Sequence, residues 1–166
     1  MPIYCARSKN PYKKEKQIVE MLMDLIGNNT QNVSKPGEIT VYHGTSVQSA
    51  DRIIREGILK KYSHWKPNRV FVTTKPESTF LFGGITDALA FNRTKETIGW
   101  GDTLCYTQVA IFEINLPKDE LHQDRNLEFR RWRNPHMFYV KRDIFPREIV
   151  RLVGVFKYPL IISADL

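Results

Sequence analysis

The chain has 166 residues, of which 42% are hydrophobic and 26% charged, and it carries a formal net charge of +7. This length supports one domain that buries its own core without disulfide or metal staples. No apolar run approaches the roughly 20 residues of a membrane-spanning helix, and residues 1–16 are polar and basic, without the apolar stretch of a secretory signal. The charge favours anionic partners such as nucleic acid, a nucleotide or an acidic protein face, although a solubilising surplus accounts for it equally well. Cys5 and Cys105 are the only cysteines and lack metal-ligand spacing. One disulfide is the alternative, but they read as thiols of a reducing compartment, so the expected location is the cytoplasm.

In chain order, Pro11 opens a predicted helix whose apolar stripe is Ile18, Leu22, Leu25 and Ile26, ending at Gly27. Residues 28–38 carry Asn, Ser, Lys, Pro and Gly and form a loop. Residues 1–38 are thus an N-terminal helix and linker, set before a main unit at 39–166. That unit begins with a strand, "ITVY", followed at once by His43, Gly44 and Thr45. A helix follows, with Ser46 as its candidate N-cap, Ala50, Ile53 and Ile54 at helical spacing, and Gly57 as its stop. "LKKYSHWKPNR" is a basic, aromatic loop, with Trp65 between Lys61 and Lys66. "VFVTT" is a short strand, "KPESTFLFGG" a turn region, and "ITDALAFNRTKE" a short helix that starts near Thr86 or Asp87.

"TLCYTQVAIFEINL" gives the longest strand signal, and its apolar residues on both faces predict a central, buried position. Residues 118–135 make a long polar loop, of the kind usually tied to function. "MFYV" and "IVRLVGVF" are the last two predicted strands, with "KRDIFPRE" as the turn between them. The fold class is therefore α+β: small mixed or antiparallel sheets, two or three short helices, and function placed on loops.

His43, Gly44 and Thr45 put a ring nitrogen, a bare peptide and a hydroxyl within three residues, a set that suits an amide or a ribose. On spacing alone, a strand-end histidine bonded to backbone explains His43 as simply. In "LEFRRWRNPH", Arg130, Arg131 and Arg133 surround Trp132, next to Phe129. Forked guanidinium contacts suit phosphate and an exposed indole suits an unpaired base; a solvated charge run with Trp132 in the core is the alternative. Other chemistries find no support. His43, His64, His122 and His136 are scattered, with no HExxH and no paired cysteines, so no metal site is expected. There is also no GxGxxG, no Walker loop and no GxSxG elbow.

The ordered series "YHGT", "SADRIIREGI", "VFVTT" and "DALAF", closed by "YVKRDIFPREIVRLVGV", resembles the core of ADP-ribosyltransferases of the poly(ADP-ribose) polymerase and diphtheria-toxin type. The resemblance covers residues 39–156 and implies an ADP-ribosyltransferase-like fold whose sheets form an NAD cleft at Tyr42, His43, Gly44 and Thr45. Carried onto this chain, it has His43 bond the adenosine-side ribose, with Thr45 in support, and has the Gly44 backbone hold the nicotinamide amide. Its two stacking tyrosines fall at Phe71 and Phe91, which keep the aromatic face and lose the hydroxyl.

The pattern departs at the family's catalytic glutamate, where Met137 or Phe138 stands. His136 is adjacent, Glu148 lies in the following turn, and Glu128, in the preceding loop, is the preferred substitute for the acid that would steady the charge as nicotinamide leaves. The resemblance implies transfer of ADP-ribose from NAD, the co-substrate, to a macromolecular acceptor, protein or nucleic acid. By analogy alone it suggests a toxin, phage or defence effector. Two rivals are a non-catalytic nucleic-acid- or nucleotide-binding module on the same fold, and an NAD-using RNA 2'-phosphotransferase-like enzyme.

Overall fold

The computed structural model describes residue 24 and residues 34–63, 68–79, 95–97, 103–124 and 136–162. In order these form β1 (Glu38–Ser46), α1 (Val47–Glu56), β2 (Val70–Thr73), β3 (Lys95–Thr97), β4 (Thr103–Pro117), β5 (His122–Gln123), β6 (Met137–Val140) and β7 (Ile149–Ile162). Single 3-10 turns occupy Lys60–Tyr62, Pro76–Ser78, Lys118–Glu120 and Pro146–Glu148. Of the expected N-terminal helix only Asp24 is described, and it is helical. Cys5 and residues 85–94 of the helix expected at "ITDALAFNRTKE" lie outside the described residues, while its last two positions, Lys95 and Glu96, are instead in β3, paired to β4.

The architecture is mixed α+β, but the small sheets expected from the sequence join into one. Its strand order is β3-β4-β1-β2-β6-β5, with β7 also paired to β4. Every strand pair among the described residues is antiparallel. The reason is β4, whose 15 residues span about 50 Å at strand rise. That length lets it pair with β3, β1 and β7 together, and it is central as predicted. β7 is longer than its apolar stretch suggests, continuing through Lys157 to Ile162 along β4. Its register shifts between Ile111 and Phe112 and again between Glu113 and Ile114.

Strand alternation builds the core. Val41, Val70, Val72, Ala110, Phe112, Ile114, Leu116 and Val140 cluster with Ile53 of α1 and with Ile58 and Ile144. The intervening residues are more polar but also buried: Thr40, Tyr42, Thr73 and Glu113 are each 7% exposed or less. Thr40 Oγ1 donates to Asn115 Oδ1 at 2.8 Å across the β1–β4 pair.

α1 begins and ends where the sequence places it. Ser46 holds the N-cap backbone conformation, yet its hydroxyl meets Ser49 Oγ at 3.2 Å instead of capping an N–H. Gly57 ends the helix at φ 86°, and its N–H bonds Ile53 O. A Cβ there would stand 2.1 Å from Ile144 O, so glycine answers both the dihedral and the close approach. Ile54, expected on the apolar stripe, is 55% exposed, because Ile53 alone fills the core position of that turn.

Candidate functional site

The site follows from a disagreement between two strand pairings. β1 stays in register with β4 along its whole length, while β2 is in register with β6 along all four of its residues. Between β1 and β2 the register holds at one position, Tyr42 opposite Thr73. Past it the two strands part, leaving an opening in the sheet.

The His43 side chain spans that opening, with Nδ1 2.8 Å from Phe71 O. A carbonyl only accepts, so Nδ1 carries the hydrogen. Burial pushes the ring below the ordinary imidazole range and outweighs the backbone bond, which pulls the other way. The ring is therefore neutral near pH 7, with Nε2 as a bare acceptor. A ribose hydroxyl is the kind of group such a nitrogen takes. The backbone-bonded histidine expected on spacing alone is present at Nδ1, and that bond leaves Nε2 uncommitted.

A cleft of about 450 Å³ surrounds this point. Tyr42, His43, Gly44, Thr45 and Phe71, all named from the sequence, line it together. Tyr42 is 5% exposed and its hydroxyl lies 3.5 Å from Glu113 Oε1. Phe71 is half-buried, its ring 6.3 Å from that of Tyr139. The charged residues of the cleft wall are Arg52, Lys61 and Arg69, and no described carboxylate joins them. The Arg52 guanidinium sits 3.6 Å over the Tyr62 ring and Lys61 Nζ lies 5.0 Å from it. A wall with fixed cations and no opposing acid suits an anionic ligand.

Gly44 lines the cleft, and its lack of a side chain also has a packing reason. The space left by its missing side chain is filled, not open to a ligand. A Cβ at Gly44 would lie 2.6 Å from Thr79 O and 2.7 Å from Thr79 Cβ. Thr79 is 2% exposed, and its hydroxyl donates to Pro76 O at 2.5 Å.

At the position where the resemblance expects an acid, Met137 is 6% exposed and lines the cleft. Phe138 packs against the core instead. His136 is joined to the end of β2, its O accepting from Thr74 N at 3.0 Å and its Nδ1 3.2 Å from Thr74 Oγ1. Glu148 is no candidate for the acid. Both of its oxygens take forked bonds from Arg142 at 2.7 Å, and Oε1 also accepts from Phe145 N at 3.0 Å. Glu128, Phe91, Arg130, Arg131, Trp132 and Arg133 lie outside the described residues. The chain that carries Glu128 and the three arginines joins β5 to β6, whose ends are tied by Asp124 N donating to Met137 O at 3.0 Å.

Arg52, Arg69 and Glu113 were not singled out from the sequence. Glu113 had a legible signal, a lone carboxylate inside an apolar strand. It is fully buried and accepts from Arg151 Nε at 3.1 Å. Arg52 and Arg69 read as ordinary surface charges until the strand opening gathers them. Among the described residues, no group of three His, Cys, Asp or Glu side chains could hold a metal ion. No helix among them is long and apolar enough to cross a membrane. No protein-family model matches the chain, and no curated protein matches its sequence.

Proposed function

We propose that the opening between β1 and β2 binds NAD, and that the protein is an NAD-dependent ADP-ribosyltransferase acting on a macromolecular acceptor. The observation that carries this reading is His43, with Nδ1 fixed on Phe71 O and Nε2 left as an acceptor in a cleft whose charged walls are cationic. A ribose hydroxyl donates to Nε2, and Arg52, Lys61 or Arg69 offsets the pyrophosphate charge. Phe71 supplies an aromatic face for the nicotinamide ring. In the reaction, the bond between the nicotinamide nitrogen and the ribose anomeric carbon breaks, and its electron pair leaves with nicotinamide. An acceptor oxygen or nitrogen bonds that carbon and loses a proton. Glu128 is the acid proposed to steady the developing charge.

Met137 favours a second reading. A thioether neither orients a hydroxyl nor takes a proton, so a cleft with Met137 at this place also suits a non-catalytic module that binds a nucleotide or nucleic acid. Incubation with labelled NAD and separate pools of protein, DNA and RNA decides between them, with His43→Ala as the control. Label in one pool, lost in the variant, supports transfer. Saturable NAD binding without nicotinamide release supports the module. A folded protein that binds no NAD refutes the transferase and leaves a module that binds nucleic acid or another nucleotide.

A further inference from the structure

Phe71, Tyr139 and His122 come from three neighbouring strands, β2, β6 and β5. Phe71 is the Cα partner of Tyr139, and Tyr139 is the Cα partner of His122. Partners in register point to the same face, so the three rings form one row across the sheet. The His122 and Tyr139 rings are stacked at 5.3 Å with an interplanar angle of 22°. The Arg69 guanidinium lies 4.2 Å from the centroid of the Tyr139 ring, and Phe71 meets Tyr139 at 6.3 Å and 60°. One end of the row is inside the cleft, where Phe71 and Arg69 are part of the wall. The other end is exposed, because His122 lies on β5, a two-residue strand at the border of the sheet.

We propose that this row is a stacking platform for the unpaired bases of a single-stranded nucleic acid, with His122 as its open end. A trio serving only the fold would bury its last ring, whereas His122 is exposed and no hydrogen bond holds its ring nitrogens among the described residues. The Tyr139 ring already carries a guanidinium and an imidazole, and a base adds to the exposed imidazole. Charge favours nucleic acid over a peptide of aromatic side chains. The chain carries +7 and Arg69 stands in the row itself; of the acids that flank His122 in sequence, Asp119, Glu120 and Asp124, Glu120 is taken up by Arg142. A strand laid along the row brings a nucleotide to the cleft mouth at Phe71. This goes beyond the NAD reading and stands whether or not NAD is turned over.

The test is fluorescence anisotropy with a labelled single-stranded RNA, its duplex, and an abasic strand of the same length. The single strand binds more tightly than the duplex. His122→Ala weakens single-strand binding by about tenfold, the scale of one lost base stack, while His122→Phe retains it. The slope of affinity against salt is the same in wild type and His122→Ala, because stacking releases no counterions. The abasic strand shows no dependence on residue 122. NAD binding, measured separately, is unchanged in His122→Ala, which separates failure here from failure of the NAD reading. Equal affinity for duplex and single strand, equal affinity of His122→Ala and wild type, or no single-strand binding at low salt would overturn the proposal. So would label that moves to a protein acceptor with the same dependence on residue 122.

Discussion

Replacing Gly44 by alanine tests what that glycine is for. The added Cβ would stand 2.6 Å from Thr79 O and 2.7 Å from Thr79 Cβ, both inside contact distance. Neither obstacle is the end of a flexible side chain. β1 cannot retreat, because it is paired to β4 along its whole length. Thr79 is held in turn by its hydroxyl bond to Pro76 O. Relief requires the Pro76–Thr79 backbone to shift outward by several tenths of an ångström, an overpacking strain of about 1–3 kcal/mol. In a chain of this size each kcal/mol lowers the melting temperature by about 2–4 °C, so Gly44→Ala should melt roughly 2–12 °C below wild type by circular dichroism. The same samples are titrated with NAD. An unchanged melting temperature with NAD binding lost would refute this reasoning and assign the glycine to the ligand alone.

On the NAD reading, His43 should make the affinity depend on pH. Its folded pKa lies below the ordinary 6.5, so affinity is flat above neutrality and falls once acid protonates Nε2. Because the unfolded ring binds its proton first, stability also declines as pH drops from 6.5 toward the folded value, and His43→Gln removes both effects. Glu148 behaves as a depressed carboxylate. Burial opposes its charge, but the Arg142 fork and the Phe145 N–H outweigh it and hold it below the ordinary 4.5. Its contribution is complete above 4.5 and is lost as pH falls through the lower folded value. Arg142→Ala should remove about 2 kcal/mol in neutral denaturant unfolding and flatten that acid limb. Arg151→Ala leaves the Glu113 carboxylate buried without its partner, at a cost of about 3–5 kcal/mol. Arg151→Met with Glu113→Leu should recover most of that loss, and failure to recover would mean that the pair does more than neutralise itself.

Local features were legible in the sequence, and non-local ones were not. The start and stop of α1, the central place of β4 and the strands at "VFVT" and "MFYV" follow from caps, breakers and alternation. The union of the sheets depends on which strands β4 meets, and no local pattern encodes that. The site shows the same division. His43, Thr45 and Phe71 could be named because a resemblance marked them; the expected strand end at His43 is not there, since β1 continues through Gly44 and Thr45 to Ser46 by pairing with β4. The parting of β1 from β2 is set by the preference of β2 for β6, a pairing about 65 residues away in sequence. The filled space at Gly44 and the Arg69–Tyr139–His122 stack likewise exist only after distant strands find their register. Ile54 shows the converse: helical spacing qualified it for the core, but one contact per turn sufficed.

The ties between Ile58 and Ile144 bear on how the cleft moves. Each residue's N–H donates to the other's carbonyl at 2.9 Å, and Lys60 N donates to Asp143 Oδ1 at 2.8 Å. The segment after α1, which carries Lys61 and Tyr62, is thereby bolted to the corner between β6 and β7. That wall cannot swing as a lid without breaking the paired Ile58–Ile144 backbone bonds. In amide hydrogen exchange, the Ile58 and Ile144 amides should exchange as one cooperative unit. On the NAD reading, the ligand enters where β1 and β2 already part beyond Tyr42 and Thr73, against a wall that stays in place.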